Sequence, residues 1–547
     1  MHPHPARQLC RASPLGVRRR TERSGMSAIE NQSLSHTRGF GGQAERLWPL
    51  VLAAIVLAAA VPWQMRWGVI PDTSWAITMS ERVLAGSRLY IDLFEVNPPF
   101  TPWMFMPAVA LAHALGISPE VVIHFYVYAI CLLGLGFAAR IARLAGFAEN
   151  HVLFSMLPLF LALLVILPGN AFSEREHLGV ALFLPSLVLA AWRAAPTGGR
   201  TPSLPIAVLA GLSGSVMVLV KPYYALMVLV PALYVAWRRR SIWLLFCIEY
   251  WVIGLVCVAY LAAVLYFYPE FLNAIYPVLA DTYMRLGVAQ ALLVKYAPAY
   301  LIAVYMLRLL RPGLALSPLI MVFVLASLAA TVPLVYQAKA WPYHAFPAIC
   351  LMAGALLLRA IQIDPAKQSP SGTGMRSARM LLLAAAILAN AVPFWPSQKP
   401  GADFVATIKA AVDHPTVALI GSDIAAGHPL TRMVGGSWIS SYCSDWLGAF
   451  AIYFAKVEAQ SSNQTAAEHY KQITDRYIDA KLAELETNQP SLVIVQKPDI
   501  LWLTELSGRQ DFVRFMQGYR QIAEDDTLRV LLREDASRPS SPAAASD

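Results

Sequence analysis

Apolar runs recur along almost the whole chain, near 47–66, 99–116, 121–139, 151–168, 177–192, 204–220, 223–237, 242–267, 293–310, 316–335, 343–359 and 379–395. A straight helical crossing of a bilayer needs ~20 such residues, and several runs fall short of that. The pattern predicts a polytopic α-helical membrane protein with about 11–13 membrane helices. Charged residues make up only 14% of the chain, against roughly a quarter in soluble proteins. The net charge of +9 sits mostly in short turns between the runs. That placement serves orientation in a bilayer, and no basic pattern suggests a nucleic-acid partner.

The first run carries an arginine-rich N-terminal flank, Arg18 to Arg20. This predicts a disordered cytoplasmic tail over 1–45, with Met26 a more ordinary start than Met1, and an external loop over 68–98. The run lies too far from the terminus for a cleaved signal peptide. Basic turns at Arg193 and Arg200, Arg238 to Arg240, Arg308 and Arg311, and Arg359, Arg376 and Arg379 read as inside as well. Four runs separate the loop from Arg193, where an odd number of crossings is required. One of them must be re-entrant or split, and 140–176 is the expected place, because Arg140 and Arg143 also argue for the inside.

With those anchors the polar islands converge on the external face. They are NAFSEREH (170–177), KPYY (221–224), DTYMR (281–285), QAKAWPYH (337–344) and the loop 68–98. The membrane part spans 46–398, in the inner (plasma) membrane. Residues 399–536 change composition. Short β-type runs at 417–420 and 492–495, a helical stretch near 464–487 and a strand pair within 519–533 predict an external, periplasmic α/β domain. A Ser/Pro/Ala-rich tail, 537–547, is expected to be disordered. Four of the six cysteines, Cys131, Cys247, Cys257 and Cys350, lie in apolar runs and read as small core residues; Cys10 and Cys443 complete the set. No metal-ligand spacing and no disulfide framework emerges.

The loop contains Asp72, Asp92, Glu95 and Asn97, with Trp75, Met79 and Val83 at helical spacing for a segment lying in the interface. Asp72 reads either as the N-cap of a helix starting at Thr73 or as a base poised at the membrane surface. Glu174, Arg175, Glu176 and His177 abut an apolar run, where ionisable groups are costly and usually line a cavity. The alternative is a solvated turn with an internal ion pair. His177 reads as a hydrogen-bonding residue, a metal ligand or a proton carrier. Lys221 and Lys339 stand alone among apolar neighbours, either snorkelling to the interface or contacting a phosphate. Together with Arg175 and Arg285 they would form an anion site at the outer face. Trp341 and Tyr343 read first as interfacial belt aromatics.

The acidic first loop and the phrase LAGSRLYIDLFEVNPPFTPW, with weaker likeness in SEREHL, LVKPYYAL and KAWPYHAFP, resemble the GT-C superfamily of membrane glycosyltransferases. The likeness is to the bacterial relatives of protein O-mannosyltransferases and of the aminoarabinose and arabinofuranosyl transferases, and it covers about 46–398. The resemblance implies a polyprenyl-phosphate-linked sugar donor and inverting transfer on the external face to an envelope glycan, lipid or protein acceptor. It maps the family's first-loop catalytic Asp onto Asp72. Many members follow that Asp with a second acid, whereas Thr73 follows here. Arg175, Lys221, Arg285 and Lys339 would then neutralise the donor phosphate. Asp92, Glu95, Asn97, Glu174, Glu176, His177, Tyr223, Tyr343 and His344 would shape the sugar or acceptor pocket. A divalent cation, Mg or Mn, if one is used, would fall to Asp72 and Glu174. A lipid-linked glycan flippase and a non-catalytic envelope assembly protein are the alternative readings; no internal repeat supports the former.

Overall fold

A computed structural model describes the backbone of 28–147, 150–195, 200–362, 373–397, 399–498 and 500–536. The basic flank Arg18 to Arg20 and the tail 537–547 lie outside the described residues. Helix α1 (Ala28–Met65) extends further N-terminally than the first run. The backbone of 28–45, expected to lack structure, continues that helix, since no proline interrupts it before Pro49.

The interfacial helix α2 (Pro71–Leu84) and helix α3 (Phe100–Leu115) follow. Then come α4 (Pro119–Ala145), α5 (Asn150–Val165), α6 (Arg175–Ala194), α7 (Leu204–Val220), α8 (Ala225–Arg239), α9 (Ile248–Phe267) and the short α10 (Tyr276–Asp281). The membrane part closes with α11 (Ala289–Leu310), α12 (Pro318–Gln337), α13 (Pro342–Ile361) and α14 (Thr373–Ala391). Eight of the described helices are long and apolar enough to cross a membrane, and three shorter apolar helices accompany them. The chain is a multi-pass membrane protein.

Helices α6 and α13 form the centre of the bundle, with α9 at its edge. The apolar window is 89% buried in α6 and only 11% in α9. Small residues permit the close approaches that hold membrane helices together. A Cβ on Gly134 of α4 would meet the Ala181 carbonyl oxygen of α6 at 2.1 Å, and one on Gly214 of α7 would meet Ser186 Oγ at 2.5 Å.

The odd-crossing problem resolves at α3, not within 140–176. Helix α4 is continuous, and Gly146 at its end lies against the Arg200 guanidinium beyond the end of α6. Helix α5 returns to the loop side, where Gln64 Nε2 and Trp63 Nε1 at the end of α1 donate to the carbonyls of Val165 and Ile166 at 2.7 and 2.9 Å. Helices α4, α5 and α6 thus make three alternating crossings. Helix α3 makes none. It starts beside α2, where Ser80 Oγ donates to the Pro102 carbonyl at 3.4 Å, and His113 in its last turn lies 3.9 Å from Glu81 of α2. In a chain with its native cysteines replaced, Ser87→Cys and Ile117→Cys therefore react with an impermeant maleimide from the same side of the membrane. Labelling from opposite sides would restore α3 as a span.

The C-terminal region is an α/β layer. Its elements are α15 (Ala402–Ala411), β1 (Thr416–Ile420), α16 (Ile424–Gly427), α17 (Leu430–Met433), β2 (Ser437–Trp438), α18 (Trp446–Gln460), α19 (Gln464–Asn488), β3 (Leu492–Gln496), α20 (Ile500–Ser507), α21 (Gln510–Met516), β4 (Tyr519–Glu524) and β5 (Leu528–Arg533). The sheet order is β2-β1-β3-β5-β4. Strand β1 pairs in parallel with β2 and β3, while β5 runs antiparallel to β3 and β4. Strands β1 and β3 are buried almost throughout, which explains their unbroken apolar sequences. This domain sits on the loop side of the bundle. The Phe94 amide donates to the Ser441 carbonyl at 2.8 Å, and the Phe94 ring stacks on Tyr442 at 4.7 Å.

Candidate active site

A cavity of about 430 Å³ lies between the loop-side ends of the membrane helices and the C-terminal domain. Helix α2 forms its floor. Pro71 occupies the first turn, where its missing N–H costs nothing. The helix therefore begins earlier than the sequence suggested. Ile70 is the N-cap, and Asp72 lies inside the first turn with no capping hydrogen bond. The capping role weighed for Asp72 is thus not the one it fills, and its carboxyl lines the cavity. Burial lifts the Asp72 carboxyl to about 6. Arg175 opposes that shift, Glu176 and Glu95 add to it, and Lys221 also opposes it.

Glu95 and Asn97 also line the cavity. Glu95 is buried and accepts from Trp75 Nε1 at 2.8 Å, the Asn97 amide at 2.8 Å and Asn97 Nδ2 at 2.5 Å. It ties the second half of the loop to α2, so its oxygens are largely committed. Asp92 lies elsewhere. It is half-buried, accepts from the Arg88 amide at 2.7 Å and pairs with the Arg88 side chain at 3.5 Å.

The SEREH turn carries the opposite wall. Ser173 adopts a left-handed φ of 68°, and its hydroxyl meets Thr73 Oγ1 at 2.9 Å. This contact joins α2 to the start of α6. Glu174 and Arg175 line the cavity. Burial raises the Glu174 carboxyl well above its usual range, reinforced by Asp72, while Arg175 opposes. Arg175 Nη1 donates to Thr101 Oγ1 at 3.0 Å and leaves the rest of the guanidinium fork for other acceptors. His177 does not reach the cavity. Its Nε2 lies 2.6 Å from the Leu164 carbonyl and its Nδ1 accepts from the Ser173 amide at 3.2 Å, so both nitrogens are spent on the fold.

Lys221 lines the cavity, but its ammonium is engaged within the protein. Its ammonium lies 2.7 Å from Glu176 Oε1, 2.8 Å from His344 Nε2 and 3.2 Å from Gln337 Oε1. Its N–H groups are directed to His344 and Gln337, and its charge is paired with Glu176. Glu176 and His344 are completely buried beneath the wall. Of the three, Lys221 alone lines the cavity, and Glu176 and His344 support it from beneath. Lys339 is likewise engaged: it donates to the Tyr283 and Leu286 carbonyls, stands 4.4 Å from the Tyr283 ring centre, and does not line the cavity. It pins the loop that presents Tyr283. Arg285 points to the C-terminal domain, donating to Tyr470 Oη and, at 3.1 Å, to Glu458. Tyr343 lines the cavity, whereas Tyr223 packs beside it against Tyr224 and Tyr336.

Several lining residues were not foreseen: Tyr283, Lys295, Lys399 and, from the C-terminal domain, Asp423, Ser444 and Trp446. Lys295 interrupts an apolar run as Lys221 does, so the same criterion applies to it. Lys399 stands where the last apolar run gives way to the C-terminal composition. The C-terminal residues carry no local signal. Among the described residues no three His, Cys, Asp or Glu side chains are grouped to hold a metal ion. The pocket carboxylates have cationic side chains for neighbours, and the donor set does not fit a divalent cation.

No family model matches the chain, and no curated protein matches it in sequence. Among solved structures it is similar to ArnT from Cupriavidus metallidurans bound to undecaprenyl phosphate. The TM-score is 0.52 at 15% identity, covering 90% of this chain and 99% of that one. The arabinofuranosyltransferase AftD from Mycobacteria aligns at a TM-score of 0.44 and 15% identity, over 89% of this chain and 40% of its own. The chain shares the fold of that ArnT structure over most of its length.

Proposed function

We propose that this protein transfers a sugar from a polyprenyl-phosphate donor to a hydroxyl of a cell-envelope glycan, lipid or protein, on the external face of the inner membrane. One observation carries the reading. A partly buried carboxyl, Asp72, shares a cavity with the Arg175 guanidinium at the junction of the bundle and the C-terminal domain. A lipid-linked donor approaches that junction from the bilayer, and an acceptor approaches it from water.

In the proposed step, Asp72 takes the proton of the acceptor hydroxyl. The oxygen attacks the anomeric carbon from the face opposite the phosphate. The carbon–oxygen bond to the phosphate breaks, and polyprenyl phosphate leaves with the bonding electron pair. Its growing negative charge meets Arg175, fixed in advance by Thr101. Lys221 acts from behind, where its ammonium pairs with the buried Glu176. Trp446 and Tyr283 line the cavity and would supply apolar contact to a sugar ring.

The test uses purified protein in sealed proteoliposomes, a radiolabelled polyprenyl-phosphate hexose or pentose, and a cell-envelope extract as acceptor source. Release of polyprenyl phosphate with label moving into the extract supports transfer. Donor recovered intact on the opposite leaflet supports a flippase, and no change in the donor supports an assembly role.

A further inference from the structure

One charged hub joins the C-terminal domain to the membrane part. Arg432 of α17 donates Nη1 and Nη2 to the two carboxylate oxygens of Glu81 at 2.6 and 2.9 Å, and Nε to Glu120 Oε1 at 2.5 Å. Its side chain is only 14% exposed. Exposed ion pairs contribute little, but a guanidinium fork held by two carboxylates in a partly buried place also fixes geometry. The hub bridges three separate pieces of chain. Glu81 lies near the end of α2, the helix that carries Asp72, and Glu120 lies in the first turn of α4.

The same stretch of the C-terminal domain forms a wall of the cavity. Pro429, Cys443 and Ser444 line it. Between them, the Ser440 carbonyl accepts from Arg82 Nη1 at 2.7 Å, one residue beyond Glu81. Any rotation or slide of α2 against this wall therefore breaks the Arg432 hub. Lysine could not replace it, because a single ammonium lacks the planar fork that grips Glu81 and leaves Nε for Glu120.

We infer that Arg432 is a positioning residue for glycosyl transfer: it holds α2, and with it Asp72, in register with the acceptor-facing wall of the C-terminal domain. This inference rests on the transferase reading. The donor meets the bundle and Arg175, so its binding does not depend on the hub. The acceptor must meet Asp72 and the wall together, so its capture does.

The experiment compares wild type, Arg432→Gln, Arg432→Lys, Glu81→Gln and the Arg432→Gln/Glu81→Gln pair as full chains in nanodiscs. The probes are undecaprenyl phosphate for donor-site affinity, and the radiolabelled donor with an envelope extract for transfer. Arg432→Gln and Arg432→Lys are expected to lower transfer about 10- to 100-fold, with a raised apparent KM for the extract. Affinity for undecaprenyl phosphate stays within about twofold. The double variant is expected to be no worse than Arg432→Gln, because both changes remove one interaction. Unchanged transfer by Arg432→Gln, losses that multiply in the double variant, or an equal loss of carrier affinity would each overturn the positioning role. An inactive wild type would overturn the transferase reading itself.

Discussion

Asp72→Asn is expected to lower sugar transfer ~10²–10⁴-fold, the usual contribution of a positioned general base, in a protein that remains folded. The substitution keeps the size of the side chain. It removes no capping bond, because Ile70 and not Asp72 occupies the cap position. The pH dependence follows from the carboxyl's surroundings. Burial lifts Asp72 to about 6, so the basic form dominates only above that pH. Transfer by the wild type should fall about tenfold per pH unit below about 6. Stability runs the other way. A carboxyl whose folded value is raised contributes stability at low pH and loses it as pH rises through the folded value. Asp72→Asn removes that loss, so at pH 7 to 8 it should unfold at a higher temperature than the wild type. Lower activity with higher stability marks a strained functional carboxyl. Wild-type transfer rates in Asp72→Asn would move the base to another carboxylate of the cavity.

Lys221→Met has the largest expected effect on stability. The change strands Glu176, completely buried, without the ammonium that pairs with it, and removes the donor to His344 and to the Gln337 side-chain carbonyl oxygen. Removing one member of a buried pair typically costs about 3–5 kcal/mol. Thermal unfolding in detergent should show a large drop for Lys221→Met, with recovery of much of it in Lys221→Met/Glu176→Gln. A Lys221→Met protein as stable as wild type but weaker in carrier binding would return Lys221 to the phosphate. The residue type at 221 suggested that phosphate role; its partners argue for a supporting one.

Much of this was legible in the sequence, and the reason differs by residue. Apolar runs report spans directly, because backbone polar groups in a bilayer must be satisfied within the helix. The runs at 417–420 and 492–495 anticipated β1 and β3, and 464–487 anticipated α19, because buried parallel strands and an amphipathic helix leave strong local patterns. Asp72, Glu174 and Arg175 stood out because charge beside an apolar run demands an explanation. What such a charge does was not legible. Lys221 and Lys339 met the same criterion, and Asp92 and Arg285 were grouped with the site, yet their partners are Glu176, two backbone carbonyls, Arg88 and Glu458. Partner choice is a tertiary fact. The same holds for α3, whose composition is that of a span although its two ends lie on one side. It holds too for Asp423, Ser444 and Trp446, which reach the cavity because the C-terminal domain docks on the bundle through contacts that include Arg432, Arg285 and Phe94.

The most direct test of the shared cavity is photo-crosslinking. A polyprenyl-phosphate sugar carrying a diazirine on the sugar ring is bound to the purified protein, irradiated, and the labelled peptides are sequenced. The account predicts labels on the α2 peptide with Asp72, on the 281–286 segment with Tyr283, and on the C-terminal peptide with Cys443, Ser444 and Trp446, all suppressed by excess undecaprenyl phosphate. Labels confined to the lipid-facing surfaces of α9 and α11, with none on those three peptides, would contradict it.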